Sequence, residues 1–286
     1  MNSFKVFLLM LTLMFLFVWV GYIVGGQGGM IVAFVLAVVM NFISYWYSDR
    51  LVLKIYHHAR QVTQQDHPRL YAAVSQVQIA TKMPMPKVYI VPDKAPNAFA
   101  TGRNAEHAAV AVTEGLLEIL NNKEELEGVI AHEFAHIKNK DMLIGTVVAT
   151  FVGAIGILAS IARWGAILGG HGRNDNRGGL VGLLATAIIA PLVAIVIQSA
   201  ISRSREYKAD AIGARLTGRY RGLSSALKKI SSAPKRMNLN QKPATAHLMI
   251  VNNFSSKWNT LLFSTHPPVE KRIEKLQELS QQTYYE

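Results

Sequence analysis

Four stretches of this 286-residue chain carry no charged side chain for about twenty positions or more: Val6–Gly26, Gly29–Ser48, Met142–Ala162 and Gly178–Ser202. No other feature narrows the possible folds as much. The hydrocarbon core of a bilayer is about 30 Å thick and is crossed by about 20 helical residues, so each stretch is long enough to span. Half of the chain is hydrophobic, and the apolar residues come in these blocks rather than in the short periodic runs of a soluble domain. The first block is too long for the apolar region of a signal peptide, lacks a small-x-small cleavage site and leads directly into the second. It is expected to be a retained anchor. Gly21-x-x-x-Gly25 has a spacing at which two helices approach closely.

Lys and Arg close to the span ends set the orientation. One side carries Lys5, Arg50, Lys54, Arg60, Lys138, Lys140, Arg203, Arg205, Lys208 and Arg215, and the other carries Arg163, Arg173 and Arg177. That asymmetry predicts a multi-pass protein with both termini and both polar blocks in the cytoplasm. The 163–177 loop is itself net basic, which weakens the crossing signal of the second apolar pair. The net charge of +12 is concentrated late in the chain, with 15 basic and 6 acidic residues over positions 201–286. In a chain with candidate spans and no nucleic-acid motif, such an excess points to anionic lipid or plain solvation rather than nucleic acid. The absence of cysteine excludes disulfides and thiolate-bound metal.

Four parts follow: an N-terminal membrane hairpin (1–48), a cytoplasmic α+β part (49–141), a second hydrophobic hairpin (142–202) and a cytoplasmic helical part (203–286). In the α+β part, Asp66-His67-Pro68 caps and opens a helix that continues toward Ala80. Val88–Val91, Asn97–Thr101 and Ala108–Val112 read as short strands of a small antiparallel sheet. Thr113 caps a short helix over Glu114–Leu120. Asn122 with Glu125 forms a capping pattern for a helix that is expected to run into the third apolar block. After the fourth block, helices are expected near Glu206–Thr217, Leu223–Ser231 and Val269–Leu279.

The sequence His132-Glu133-Phe134-Ala135-His136 carries the chemistry. Two histidines four apart on a helix differ by about 40° around the axis and about 6 Å along it, so both imidazoles reach one metal ion. Glu133 stands on nearly the same face, where it can take a proton from the attacking water. Zinc in a hydrolase usually has three protein ligands and an open position, so a third ligand is required. The best candidate is Glu206 in Ser204-Arg205-Glu206-Tyr207-Lys208-Ala209-Asp210. It follows the fourth apolar block as the histidines precede the third. Asp210 shares its helix face and is placed to accept the N–H of a metal-bound histidine.

These residues, together with Pro96-Asn97-Ala98-Phe99-Ala100-Thr101-Gly102 and Thr265-His266-Pro267-Pro268, resemble the integral-membrane zinc metallopeptidases of the HtpX heat-shock family, relatives of the CAAX prenyl endopeptidases. The resemblance covers essentially the whole chain. It implies a gluzincin-like zinc peptidase domain combined with four transmembrane helices, and one Zn²⁺ per subunit bound by His132, His136 and Glu206. It also implies proteolysis of misfolded membrane proteins and unfolded proteins as quality control under stress, in the bacterial inner membrane. Asn97, Ala98, Phe99 and Ala100 would form an edge strand that pairs with extended substrate. His266 would hydrogen-bond the tetrahedral oxyanion.

Two other readings are weighed on the residues themselves. An intramembrane protease would have to bury Asn121, Asn122, Lys123, Glu124, Glu125, Glu127, Lys138 and Lys140 in hydrocarbon, which costs too much. A non-catalytic membrane zinc sensor or assembly factor would share the ligands but not depend on Glu133.

Overall fold

The computed structural model describes residues 2–47, 50, 53, 59–144, 147, 203–233 and 267–284. Residues Asn2–Trp46 are helical and form α1, yet the element doubles back on itself. Asn41 Nδ2 donates to the Met10 carbonyl at 3.5 Å, although the two lie 31 positions apart. The reversal falls at Gly26, whose φ of +59° is in the left-handed region. The two arms then touch through glycine: a Cβ at Gly29 would lie 2.3 Å from the Gly21 carbonyl oxygen. Leu13, Phe17, Ala33 and Ala37 are buried between the arms, while Phe7, Phe15, Trp19, Phe34 and Phe42 face outward. An apolar exterior of this kind suits lipid rather than water.

Among the described residues one stretch, Gly26–Ile43, is long and apolar enough to cross a membrane, and Met10–Trp19 is a shorter apolar stretch. Of the two spans expected before residue 49, one therefore meets that measure. The third and fourth blocks, apart from the first few residues of the third, lie outside the described residues, as does the 163–177 loop.

The remaining elements are β1 (Arg60–Gln61), α2 (Pro68–Thr81), β2 (Lys87–Val91), β3 (Ala98–Thr101), β4 (Ala109–Thr113), α3 (Glu114–Ile119), α4 (Lys123–Asn139), α5 (Arg203–Thr217), α6 (Tyr220–Ser232) and α7 (Val269–Tyr284). α2 begins at Pro68, and its cap is His67 rather than Asp66. His67 Nδ1 accepts the Leu70 N–H at 3.3 Å, whereas the Asp66 carboxylate takes the N–H and hydroxyl of Thr63. The expected cap of α3 is present, with Thr113 Oγ1 accepting the Leu116 N–H at 3.2 Å. At the start of α4 the Asn122 side chain accepts the Glu124 N–H, and the Glu125 carboxylate accepts the Asn122 N–H in return.

The sheet has the order β1-β2-β4-β3 and is mixed, not antiparallel as expected. β4 pairs antiparallel with β3 but parallel with β2. The chain leaving β2 passes beyond the neighbouring position, lays down β3, and returns to place β4 in the gap. Every residue of β4 is buried. Its unbroken Ala-Val-Ala-Val run is what a central strand covered on both faces requires.

α4 is the central helix, and one core cluster runs through Val62, Leu70, Val110, Leu126, Ile130, Leu223 and Leu276, while Val91, Phe99, Ala109 and Ala111 belong to another. α4 does not continue into the third apolar block as expected. It ends at Asn139, with Lys140 in the left-handed conformation (φ +59°) donating its N–H to the His136 and Ile137 carbonyls, and helix resumes at Met142. The break frees Asp141 to turn back toward His136.

Candidate metal centre

α4 carries both histidines because the i, i+4 spacing stacks them on one face. α5 crosses α4 closely enough to bring Glu206 to them, and the crossing depends on a missing side chain. A Cβ at Gly213 would lie 2.7 Å from the Ala131 carbonyl oxygen and 2.9 Å from the His132 nitrogen. The burial of Glu206, Ala209, Asp210, Gly213 and Ala214 marks the face of α5 turned inward.

His132, His136 and Glu206 form a cluster in which one donor atom from each lies within 4.8 Å of the others. His132 Nε2 is 3.2 Å from His136 Nε2. The Glu206 carboxylate is 3.6 Å from His132 Nε2 and 3.7 Å from His136 Nε2. On the far side of each ring stands a carboxylate. Asp210 Oδ1 is 2.8 Å from His132 Nδ1, and Asp141 Oδ2 is 3.3 Å from His136 Nδ1.

Those outer carboxylates test the cluster as a metal site. They favour an N–H on each Nδ1, which directs both Nε2 lone pairs at one another across 3.2 Å. Two lone pairs so close repel unless a cation stands between them. The donor set therefore fits a divalent ion with an open position. Burial disfavours a charged His132, but the carboxylates of Asp210 and Glu206 outweigh it and push its pKa up to about 10.

Glu133 is buried beside the cluster. Burial raises its carboxyl above the ordinary range and the negative charge of Glu206 adds to this, whereas the two histidines and a hydrogen bond from the Ala100 backbone N–H act the other way. Burial also disfavours a charged Asp210, but Arg272 and His132 prevail and hold it below the usual carboxylate range.

β3 is the outer strand of the sheet on the α4 side. Asn97 is tied to Thr113, its N–H donating to the side-chain Oγ1 at 2.8 Å and its carbonyl accepting the Thr113 N–H at 2.9 Å. With the register of β3 on β4, Asn97, Phe99 and Thr101 direct their backbone at β4, and Ala98 and Ala100 direct theirs outward. Of the four residues expected in the substrate strand, two thus present backbone to that edge. His266 lies outside the described residues.

Two residues near the site escaped the sequence reading. Asp141 was hidden because an unbroken helix would have carried it past His136. Arg272 is fully buried and forks onto Asp210 with Nε to Oδ2 and Nη2 to Oδ1, both at 2.7 Å. It lies on the same stripe of α7 as Val269, Ile273 and Leu276, and an arginine on an apolar stripe was the signal available.

The chain is a metallopeptidase. Residues 64–280 match Peptidase family M48, and the chain belongs to that family. Within it, the chain groups with the HtpX proteases. Proteins named Protease HtpX homolog are 51% identical over 277 residues in Desulfatibacillum aliphaticivorans, covering 96% of this chain and 89% of the relative. The relative from Pyrococcus furiosus is 52% identical over 274 residues, covering 96% and 94%. That from Campylobacter curvus is 50% identical over 285 residues, covering 99% of both. Among solved structures, the crystal structure of S. mikatae Ste24p is similar with a TM-score of 0.55 at 16% identity. The match covers 93% of this chain and 62% of that one, and at this identity it speaks for the fold alone. With the apolar hairpin α1, the family makes this a membrane-associated protease.

Proposed function

We propose that this chain is a zinc-dependent endopeptidase that cleaves misfolded or damaged membrane proteins and unfolded segments at the cytoplasmic face of the inner membrane, as part of stress-linked quality control. One observation carries the reading: His132 Nε2, His136 Nε2 and the Glu206 carboxylate converge within 4.8 Å beside a buried glutamate on the same helix. Two imidazoles and one carboxylate with an open position favour Zn²⁺ among the common divalent ions. When bound, the metal would polarise a peptide carbonyl and acidify water at the site.

The protein's own groups divide the remaining work. Glu133 takes a proton from the attacking water at a carboxylate oxygen and returns it to the leaving amine. The Ala100 N–H fixes the orientation of the carboxylate. The Ala98 N–H and carbonyl and the Ala100 carbonyl face an extended segment, so substrate adds as a further strand and unfolded chain is preferred over folded domains. Asp210 and Asp141 hold the tautomer of the two histidines. His266, in the Thr265-His266-Pro267-Pro268 motif, supports the oxyanion. The apolar hairpin and the basic residues at the span ends support a site just outside the bilayer, facing the cytoplasm.

The experiment is digestion of an unfolded model protein by the detergent-solubilised chain, stripped of metal and then given zinc, beside Glu133→Gln. Zinc-dependent cleavage that the variant lacks supports the reading. Tight zinc binding with cleavage by neither protein would favour a sensor, and no zinc binding would remove the site.

A further inference from the structure

Arg272 heads the fully buried side chains by size among the described residues, and it comes from the last helix, 62 positions after the aspartate it grips. A guanidinium out of water is stable only when its donors are matched by acceptors in good geometry. Here Asp210 supplies both oxygens, and the Glu206 carboxylate lies 3.8 Å from Nη1. The same Asp210 oxygen that receives Arg272 Nη2 also faces His132 Nδ1 at 2.8 Å. The line from α7 to the cluster is thus continuous: Arg272, Asp210, His132.

We propose that Arg272 is a positioning residue of the metal centre. Its planar fork fixes the Asp210 carboxylate in one orientation, Asp210 in turn fixes the His132 ring, and His132 Nε2 is thereby aimed at the ion. This rests on the metal-site reading above and extends it. Because Arg272 belongs to α7, the site reaches full affinity only with that helix docked on α5. Docking is secured by Ile273 and Leu276 in the core and by Lys275 Nζ over the Tyr207 ring at 3.8 Å. Charge supports the role as well. Glu206 and Asp210 share one face of α5, and the Arg272 guanidinium lies against both carboxylates, 2.7 Å from Asp210 and 3.8 Å from Glu206.

The test is the affinity of the full-length, detergent-solubilised chain for zinc, measured by competition with a chromophoric chelator, with the visible spectrum of bound cobalt(II) as a second readout. Arg272→Lys keeps the charge and loses the fork. It is expected to weaken zinc binding about 10- to 100-fold, the usual effect of losing an outer partner of a metal ligand, and to alter the cobalt spectrum. Arg272→Met should weaken it at least as much. The charge-balanced double variant Arg272→Met/Asp210→Asn is expected to remain as weak as Arg272→Met. Return of the double variant to wild-type affinity would show that Arg272 only offsets the charge of Asp210, and would overturn the proposal. So would wild-type affinity in Arg272→Lys, which decides the matter if Arg272→Met does not fold. Failure of the wild type to bind either metal is a different result, since it removes the metal site itself.

Discussion

Ala100 donates its backbone N–H to the carboxylate of Glu133, so the outer strand of the sheet and the helix bearing both histidines meet at one hydrogen bond. The proposed base and the proposed substrate strand are thereby held in a fixed relation before any substrate arrives. Such preorganisation lowers the cost of bringing the groups together during the reaction.

Replacing Glu133 with Gln should lower kcat by about 10²–10⁴, the range associated with a positioned general base. Zinc content should be unchanged, because no ligand is lost. Peptide hydrolysis and metal analysis on the same sample check both halves.

Metal removal should destabilise the folded chain. A ligand present at 1,000 times its dissociation constant stabilises by about 4 kcal/mol, so a chelated sample should melt several degrees lower and recover with added zinc. Glu206→Gln should show a much smaller recovery, and calorimetry in detergent reads the difference.

Gly213→Ala should act on stability and on metal affinity together. The added methyl meets the Ala131 backbone and the His132 nitrogen, none of which can swing aside, so α5 must retreat from α4. Overpacking of this kind costs about 1–3 kcal/mol. Because Glu206 retreats with α5, zinc affinity should fall as well, as chelator competition would reveal.

The doubled-back form of α1 can be tested by cross-linking, since the chain has no native cysteine. Met10→Cys with Asn41→Cys should form a disulfide under mild oxidation, because the two residues are in contact across the hairpin. In a straight helix they would be about 46 Å apart, beyond any bridge.

Glu125 sets part of the acid limb of stability. Burial disfavours its charge, but Lys229 Nζ at 2.8 Å and Ser225 Oγ at 2.6 Å outweigh this, so its folded-state pKa lies below the ordinary 4.5. A depressed carboxylate contributes stability that is present above the unfolded value and lost as the pH falls through the folded one. Glu125→Gln should therefore cost about 1–2 kcal/mol near neutrality, a modest loss because Lys229 is 40% exposed and can turn to water. The gap from wild type should close below pH 4.5, as denaturant melts across the acid range would show.

The sequence by itself determined the features that depend on near neighbours. The i, i+4 spacing put His132 and His136 on one face, Thr113 and Asn122 with Glu125 announced two helix starts, and the apolar strands were located within a residue or two. Hydrogen bonds and side-chain directions over four or five positions follow from local geometry, and so they can be read from the chain. Only the tertiary structure decided the rest. β4 lies parallel to β2 because β3 was laid down one position further out, a choice invisible in any strand's own residues. α4 stops at Lys140, and that stop turns Asp141 back onto His136. Arg272 reaches Asp210 because α7 packs on α5. Each of these depends on which surfaces meet across long separations, where packing in three dimensions selects among arrangements that the local sequence leaves equal.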